Sequence, residues 1–324
     1  MWVSLGVLWN SGCGDWHQPW GNWPVYARLY GLHLVDFQNW MAHSQLNFAA
    51  CLVPGREVSY LACMKLKNPF RRDVNTVCVV RLNGMISTGR GLNDAGLAPV
   101  LQKAFAKKPA AVALSINSPG GSPVQSSLIG ARIRRLAQEF ETPVYAFVED
   151  VAASGGYWLA ASADEIYIDA SSVVGSIGVI SSGFGLNQFI ERHGIERRVH
   201  TAGSSKSMLD PFQPQKKADV TRLKSLLDGI HQTFKDHIID RRGAKLVERD
   251  VFTGEIWVGQ KAIDDGLADA IGHLVPTMKE KFGEKTRFRV LGQKKPLLSR
   301  FGMSLLSDVT HSIEERAAFA RFGM

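Results

Sequence analysis

The stretch 111-AVALSINSPGGSPVQSSLIGARIRRLAQEFE-141 decides the fold. Ala111–Ile116 is a short apolar run, typical of a strand that is buried on both faces. A sharp glycine-containing turn, Asn117–Ser122, follows this run, and Val124–Glu141 then has the spacing of a helix. The same succession of strand, small-residue turn and helix returns over residues 143–163. This alternation predicts an α/β fold.

The rest of the chain continues the alternation. We predict further strands over residues 76–82, 165–168, 173–180 and 195–201. We predict helices over residues 92–106, 186–193, 218–242 and 258–264, the last followed by an end segment at 267–271. The sequence shows no internal repeat.

Composition excludes several classes of protein. The 324 residues are 45% hydrophobic and 21% charged, which is ordinary for a soluble globular protein. The net charge of +8 would suit nucleic acid, but the basic residues are scattered and no zinc-ligand spacing occurs, so we predict no nucleic-acid partner. Four cysteines do not form a disulfide framework in so long a chain. We find no signal peptide, and no run of the ~18 apolar residues that a transmembrane segment needs.

The two ends differ from the middle. Residues 1–63 contain six of the eight tryptophans but only five charged residues, and their character changes abruptly at Met64. We interpret them as an atypical, disordered segment from a gene start placed too early, with a Trp-rich interfacial anchor as the alternative. The middle domain is predicted to span residues 64–278. The tail, 279–324, places apolar residues at near-helical spacing, which predicts a helix for oligomerisation or peripheral membrane contact.

Two turns and one lysine are candidates for chemistry. The glycines of Asn117–Ser122 could expose backbone N–H groups to a developing negative charge, although a plain tight turn fits as well. Ser154, flanked by small residues in Ala152–Gly156, is either an accessible nucleophile or a helix cap. Lys206 lies in a small and apolar loop, where burial could make it a base, but an exposed charge is the ordinary interpretation. Residue patterns alone leave these alternatives open.

Five segments resemble, in order, the signature segments of the signal peptide peptidase A and SohB family of bacterial serine peptidases. They are Asn117–Gly121 (NSPGG), Asp150–Trp158 (DVAASGGYW), Val174–Val179 (VGSIGV), Ser205–Phe212 (SKSMLDPF), and Phe252–Trp257 together with Ala262–Gly266. The resemblance covers residues 76–275.

The resemblance implies a role for each site residue. Ser154 would be the nucleophile, and Lys206, which follows it by 52 residues as in the single-domain members, would be the general base. Ser176 would orient the lysine amine. The backbone N–H groups of Gly121 and Gly155 would form the oxyanion hole. No metal or other cofactor is implied.

The resemblance also implies a Clp protease/crotonase-like fold of repeated ββα units and a ring-like homo-oligomer. Its peptide substrates would be signal peptides or other unfolded, hydrophobic chains. Many relatives carry a transmembrane anchor that we do not find here, so we leave the location as cytoplasmic or peripheral to the bacterial inner membrane. The competing functions are a crotonase-type acyl-CoA enzyme and a non-catalytic membrane-associated scaffold. The pairing of Ser154 with Lys206 disfavours both.

Overall fold

The computed structural model of this chain describes residues 74–89, 91–292 and 305–323. The predictions made for residues 1–63, including disorder and a start at Met64, lie outside the described residues.

The described residues form one eight-stranded sheet. Its strands are β1 Thr76–Asn83, β2 Ala111–Ser118, β3 Val144–Ala153, β4 Glu165–Ile168, β5 Val173–Gly175, β6 Ile256–Val258, β7 Ala270–Ile271 and β8 Arg287–Leu291. The order is β6-β5-β3-β2-β1-β8, and β4 and β7 branch from β3. Every pair is parallel except β5 with β6. The predicted α/β class is confirmed.

Helices connect these strands. They are α1 Asp94–Phe105, α2 Pro123–Glu139, α3 Gly155–Ala161, α4 Asn187–Arg192, α5 Lys217–Arg242, α6 Gln260–Asp264, α7 Leu274–Phe282 and α8 Leu305–Ala320. Within the ranges that the structure describes, no helix is both long and apolar enough to cross a membrane.

The central strands are buried on both faces, as the sequence predicted for Ala111–Ile116. In β1, Val77 and Val79 face one side of the sheet, while Cys78 and Val80 face the other. Helices cover each side, and full burial of such an aliphatic side chain stabilises the fold by about 1.5–3 kcal/mol. The sheet is therefore a fixed frame for the residues at its strand ends.

A bulge divides β3 into two halves. Ile116 and Ser118 of β2 face Val148 and Ala152 of β3, so three residues of β3 lie opposite one residue of β2. The first half of β3 pairs with β4, and its second half pairs with β5. Because a bulge bends a strand, the end of β3 is directed away from the main sheet, together with β5 and β6.

The structure corrects three boundaries. Residues 195–201 are not a strand, and β5 ends at Gly175 instead of residue 180. The segment 195–201 is largely exposed and pairs with no strand among the described residues, so its β-branched side chains gain no packing. The boundary at residue 278 falls within α7, and β8 adds to the sheet after it. The folded unit thus extends at least to Leu291.

Candidate active site

Ser154 lies at the sharp junction between β3 and α3. Its backbone has φ 51° and ψ −122°, a combination that non-glycine residues rarely adopt. Holding a residue in such a region costs about 1–3 kcal/mol and is common at active sites. Its N–H donates to the Gly175 carbonyl at 2.8 Å. The side chain is half-buried and makes no hydrogen bond with any other described residue.

Two neighbouring glycines allow this turn to form. A Cβ added to Gly120 would lie 2.8 Å from the Cβ of Ser154 and 2.7 Å from the Ala153 carbonyl oxygen. A Cβ added to Gly156 would lie 2.4 Å from the Ser118 carbonyl oxygen. The turn after β2 and the turn after β3 therefore touch through their backbones, and only glycine fits between them.

The predicted oxyanion donors lie together at this contact. A Cβ built on Gly155 would be 3.4 Å from the Gly121 nitrogen. Gly155 is the first residue of α3, so its N–H has no partner within the helix. Neither the Gly121 nor the Gly155 N–H donates a hydrogen bond to another described residue. Both donors are thus beside Ser154 and available to an oxygen atom.

Ile86, which sequence reasoning missed, holds the glycine turn in place. Its N–H donates to the Gly120 carbonyl and its carbonyl accepts from the Ser122 N–H, each at 2.8 Å. A Cβ on Gly121 would lie 2.0 Å from the Ile86 carbonyl oxygen, and the φ of Gly121 is +144°. This pairing turns the Gly121 N–H away from the sheet ladder. No local signal in the sequence marks Ile86.

The pair Asn117 and Asp150 was also missed as a contact. The side-chain Nδ2 of Asn117 donates to the Asp150 carboxylate at 2.5 Å, and the main-chain carbonyl of Asn117 accepts from the Gly84 N–H at 2.9 Å. These bonds join the ends of β1, β2 and β3 just before the two turns. Each residue is the first of a family-like segment, Asn117–Gly121 or Asp150–Trp158, but their contact depends on the bulge in β3.

Ser176 lies next to the nucleophile turn but has no observed partner for its side chain. It follows β5 directly, with φ 52°, and its N–H donates to the Glu255 carbonyl at 2.6 Å. The preceding residue, Gly175, accepts the N–H of Ser154. The hydroxyl makes no hydrogen bond with another described residue. The structure therefore places Ser176 beside the Ser154 turn.

Lys206 makes no hydrogen bond with Ser154 in the part of the chain that the structure describes. It lies in a series of turns within residues 179–216, a largely exposed segment that we call the arm. The Lys206 side chain is exposed, and its amine makes no hydrogen bond or ion pair with any described residue. The expected burial by a small and apolar loop is therefore wrong for the single chain, because the loop is itself exposed.

The arm has internal order of its own. Asp210 accepts a hydrogen bond from the Phe212 N–H at 3.0 Å and binds Arg197 at 2.9 Å. These bonds, that from Phe212 foremost, hold the pKa of the Asp210 carboxyl below its usual range. The Arg197 guanidinium lies 4.9 Å from the centre of the Phe212 ring. The motif Asp210-Pro211-Phe212 thus shapes the loop that carries Lys206.

Four histidines have described partners, and none of these partners is Ser154: His193 contacts the Phe189 carbonyl and His273 contacts the Asp169 carboxylate, each at 2.8 Å. His231 contacts the Ile177 carbonyl at 3.0 Å, and His237 contacts the Trp158 carbonyl at 3.2 Å while stacking on its indole. Both are half-buried, although the sequence favoured surface positions. Burial lowers the pKa of His237. Neither ring makes a hydrogen bond to Ser154.

Comparison with known proteins agrees with the motifs. Residues 137–284, which include Ser154 and Lys206, match Peptidase family S49. The chain is 32% identical over 205 residues to the probable protease SohB of Buchnera aphidicola, covering 63% of this chain and 59% of that one. It is 45% identical over 278 residues to a Brucella melitensis protein named Na(+)/H(+) antiporter NhaA, covering 79% of this chain and 38% of that protein.

Among solved structures, the 1510-N membrane-bound stomatin-specific protease is similar at 14% identity with a TM-score of 0.42, covering 69% of this chain and 99% of that one. The chain spans less than two thirds of the two curated relatives just named. The family match includes four of the five segments that resemble signal peptide peptidase A and SohB, and Asn117–Gly121 lies before it. Residues 137–284 are thus similar to peptidase family S49, and the chain as a whole is similar to its SppA- and SohB-type members.

Proposed function

We propose that this chain is a serine endopeptidase that hydrolyses peptide bonds through an acyl-enzyme on Ser154, with Lys206 as general base. One observation carries the proposal. Ser154 stands in a strained turn beside the backbone N–H groups of Gly121 and Gly155, neither of which donates to another described residue. Such an arrangement stabilises the oxyanion of a tetrahedral intermediate, and the loss of one donor typically costs about 2.7–4 kcal/mol.

The reaction would proceed in two halves. Ser154 Oγ attacks the peptide carbonyl carbon while its proton passes to the neutral Lys206 amine, and the carbonyl oxygen becomes an anion at the two N–H groups. The ammonium then returns the proton to the leaving amine as the C–N bond breaks, which leaves an ester on Ser154. A water molecule, deprotonated by Lys206, hydrolyses this ester and restores the hydroxyl. Ser176 would orient the lysine amine during both halves.

The lysine must be neutral to accept a proton, and an exposed lysine with an ordinary pKa of ~10.4 is charged at neutral pH. Burial lowers a lysine pKa because desolvation disfavours the ammonium form. In the single chain Lys206 is exposed. We therefore propose that the arm becomes buried, with Lys206 brought to Ser154, when copies of the chain assemble into a ring-like homo-oligomer.

Exposed apolar side chains on the arm support this assembly. Four of them leave about half or more of their surface in water, which is unusual for a contiguous segment of a monomer: Ile180 67%, Phe184 86%, Phe189 57% and Ile195 55%. A second copy that covers them would remove water from the arm. Burial of the arm by the second copy would then also bring Lys206 to Ser154.

The substrate class that we propose is unfolded or hydrophobic peptides, released signal peptides among them. The support is the likeness to SppA- and SohB-type relatives. Folded proteins would not enter, because the attacked bond must reach the junction of two turns in an extended form.

Cleavage of casein and of a quenched apolar peptide by the full chain tests the proposal. Ser154→Ala and Lys206→Ala should each lower kcat about 10³-fold or more. Lys216→Ala, a second exposed lysine of the arm, is the matched control and should leave kcat within about twofold. The wild-type pH–rate profile should require a deprotonation well below ~10.4. Cleavage by the Ser154→Ala variant at the wild-type rate would refute the nucleophile.

A further inference from the structure

Helix α8 lies against the folded domain by one face. Glu315, Ala318, Phe319 and Phe322 are half-buried, and these positions recur at the spacing of one helical face. The residues between them are exposed, and Ile313 on the outer face has 60% of its surface in water. The helix is therefore docked along a defined stripe.

The stripe contacts the domain at two places. At one end, the Glu315 carboxylate accepts a hydrogen bond from the Met85 N–H at 3.3 Å. At the other end, Phe319 and Phe322 pack against an apolar cluster of β3 and β5: Val151, Ala153 and Val173. Ala153 directly precedes the nucleophile Ser154.

The order of the strands shows what lies between these two contacts. Met85 follows β1, the apolar cluster belongs to β3 and β5, and β2 lies between β1 and β3. Neighbouring strands are about 4.8 Å apart, so β1 and β3 are separated by about 10 Å. The four to seven residues from Glu315 to Phe319 and Phe322 advance a helix by about 6–10 Å. The span from Glu315 to Phe322 is therefore long enough to reach from the end of β1 to the cluster on β3 and β5, across the position of β2.

This path coincides with the approach that a substrate needs. A peptide carbonyl must reach Ser154 and the Gly121 N–H from the edge at which β2 ends. Among the described residues, the Met85 N–H donates to the Glu315 carboxylate and to no backbone carbonyl. Glu315 already occupies this donor, and the two phenylalanines already occupy the apolar cluster.

We propose that α8 is a tethered inhibitor of the site, an inference that rests on the proposed peptidase function. The Glu315 carboxylate stands in for a substrate carbonyl oxygen at the Met85 N–H. Phe319 and Phe322 fill the subsite that receives apolar side chains of a peptide. Substrate binds only when α8 leaves, so the apparent affinity is reduced by the fraction of molecules in which the helix is docked.

Releasing the helix in the full-length chain tests this proposal. The Phe319→Ala/Phe322→Ala double variant should raise kcat/KM about tenfold through a lower KM, with kcat unchanged. Ile313→Ala, on the outer face of α8, is the matched control and should change neither. Hydrogen exchange of the Met85 amide, which needs no activity, should be faster in the double variant than in the control. Both measurements use the same assembled protein.

A synthetic peptide of residues 305–323 provides the reverse test. Added to the double variant, it should restore the higher KM competitively, whereas a peptide with alanine at positions 319 and 322 should not. Equal KM in wild type and double variant, with faster exchange at Met85, would overturn the inhibitory role alone. Absence of cleavage in every variant would overturn the proposed peptidase function and the inhibitory role with it.

Discussion

The contact between the two turns makes Gly120→Ala a sharp test of how the site is shaped. The added Cβ would lie 2.7 Å from the Ala153 carbonyl oxygen and 2.8 Å from both the Gly155 nitrogen and the Ser154 Cβ. Two of these three atoms belong to the backbone, so a change of rotamer cannot relieve the overlap. We expect the Ser154 turn itself to shift.

The expected loss of unfolding free energy in Gly120→Ala has two parts. Gly120 has φ +97°, and placing alanine in the left-handed region costs about 1–2 kcal/mol. Overpacking adds about 1–3 kcal/mol, for a total of about 2–5 kcal/mol. Gly283 is the matched control, because its φ is +94° but its added Cβ would meet no atom within 4 Å. Gly283→Ala should therefore cost only the first part.

Urea unfolding of both variants measures these costs, and casein cleavage measures the shift of the site. Gly120→Ala should also lower kcat about 10²-fold, since a displacement of about 1 Å at reacting groups has that effect. Gly283→Ala should leave kcat unchanged. Equal losses of unfolding free energy in the two variants would refute the claim that backbone contact selects glycine at position 120.

Three further perturbations have expected outcomes. Burial lowers the pKa of His237, so the unfolded chain takes up a proton at a higher pH than the folded one. The stability that depends on neutral His237 is therefore lost as pH falls below ~6.5, and acidification to about pH 5 should destabilise wild type more than His237→Gln in urea unfolding. Replacement of Arg242, which is 2% exposed, by alanine should cost about 1–3 kcal/mol in thermal unfolding, because it leaves the buried Gly266 carbonyl without its donor and Asp269 with Lys245 as its remaining cation. Phe184→Glu, at an 86% exposed position, should reduce the oligomer to smaller species in sedimentation without loss of folded signal, and an unchanged mass would contradict the role of the arm.

Much of the fold follows from local pattern. The strand, turn and helix over residues 111–141 are predicted correctly because each burial pattern is set within a few residues. Strand β8 was not predicted, because Arg287–Leu291 is short and half-exposed and pairs with β1 some two hundred residues earlier. Residues 195–201 show the opposite error: a strand was predicted from their composition, but the segment pairs with no strand among the described residues.

The candidate site likewise contains residues that local pattern marks and contacts that only the tertiary structure determines. The pattern of a strand followed by a small-residue turn marked the turns that contain Gly121, Ser154 and Gly155, while the role predicted for each residue came from the family resemblance. The contact between Asn117 and Asp150 could not be predicted, since it depends on the bulge that offsets β3 against β2. The surroundings of a loop lysine depend on what covers the loop, and no spacing within one chain specifies that.

Under the proposed function, the site has an oxyanion side, formed by the Gly121 and Gly155 N–H groups beside Ser154, and a base side, formed by Lys206. We expect the two sides to be controlled separately. The oxyanion side is built on strand ends, so it should be present whether or not the chain is assembled. The base side depends on Lys206, which the arm carries into water in the single chain. Variants of α8 should therefore change KM without shifting the pH–rate profile, because they alter the access of substrate to an oxyanion hole that is already formed. Variants of the apolar arm should shift the pH at which the essential deprotonation occurs, because the desolvation of Lys206 determines its pKa. If the α8 variants also shifted the pH of the essential deprotonation, α8 and Lys206 would be coupled. That result would contradict separate control of the oxyanion side and the base side.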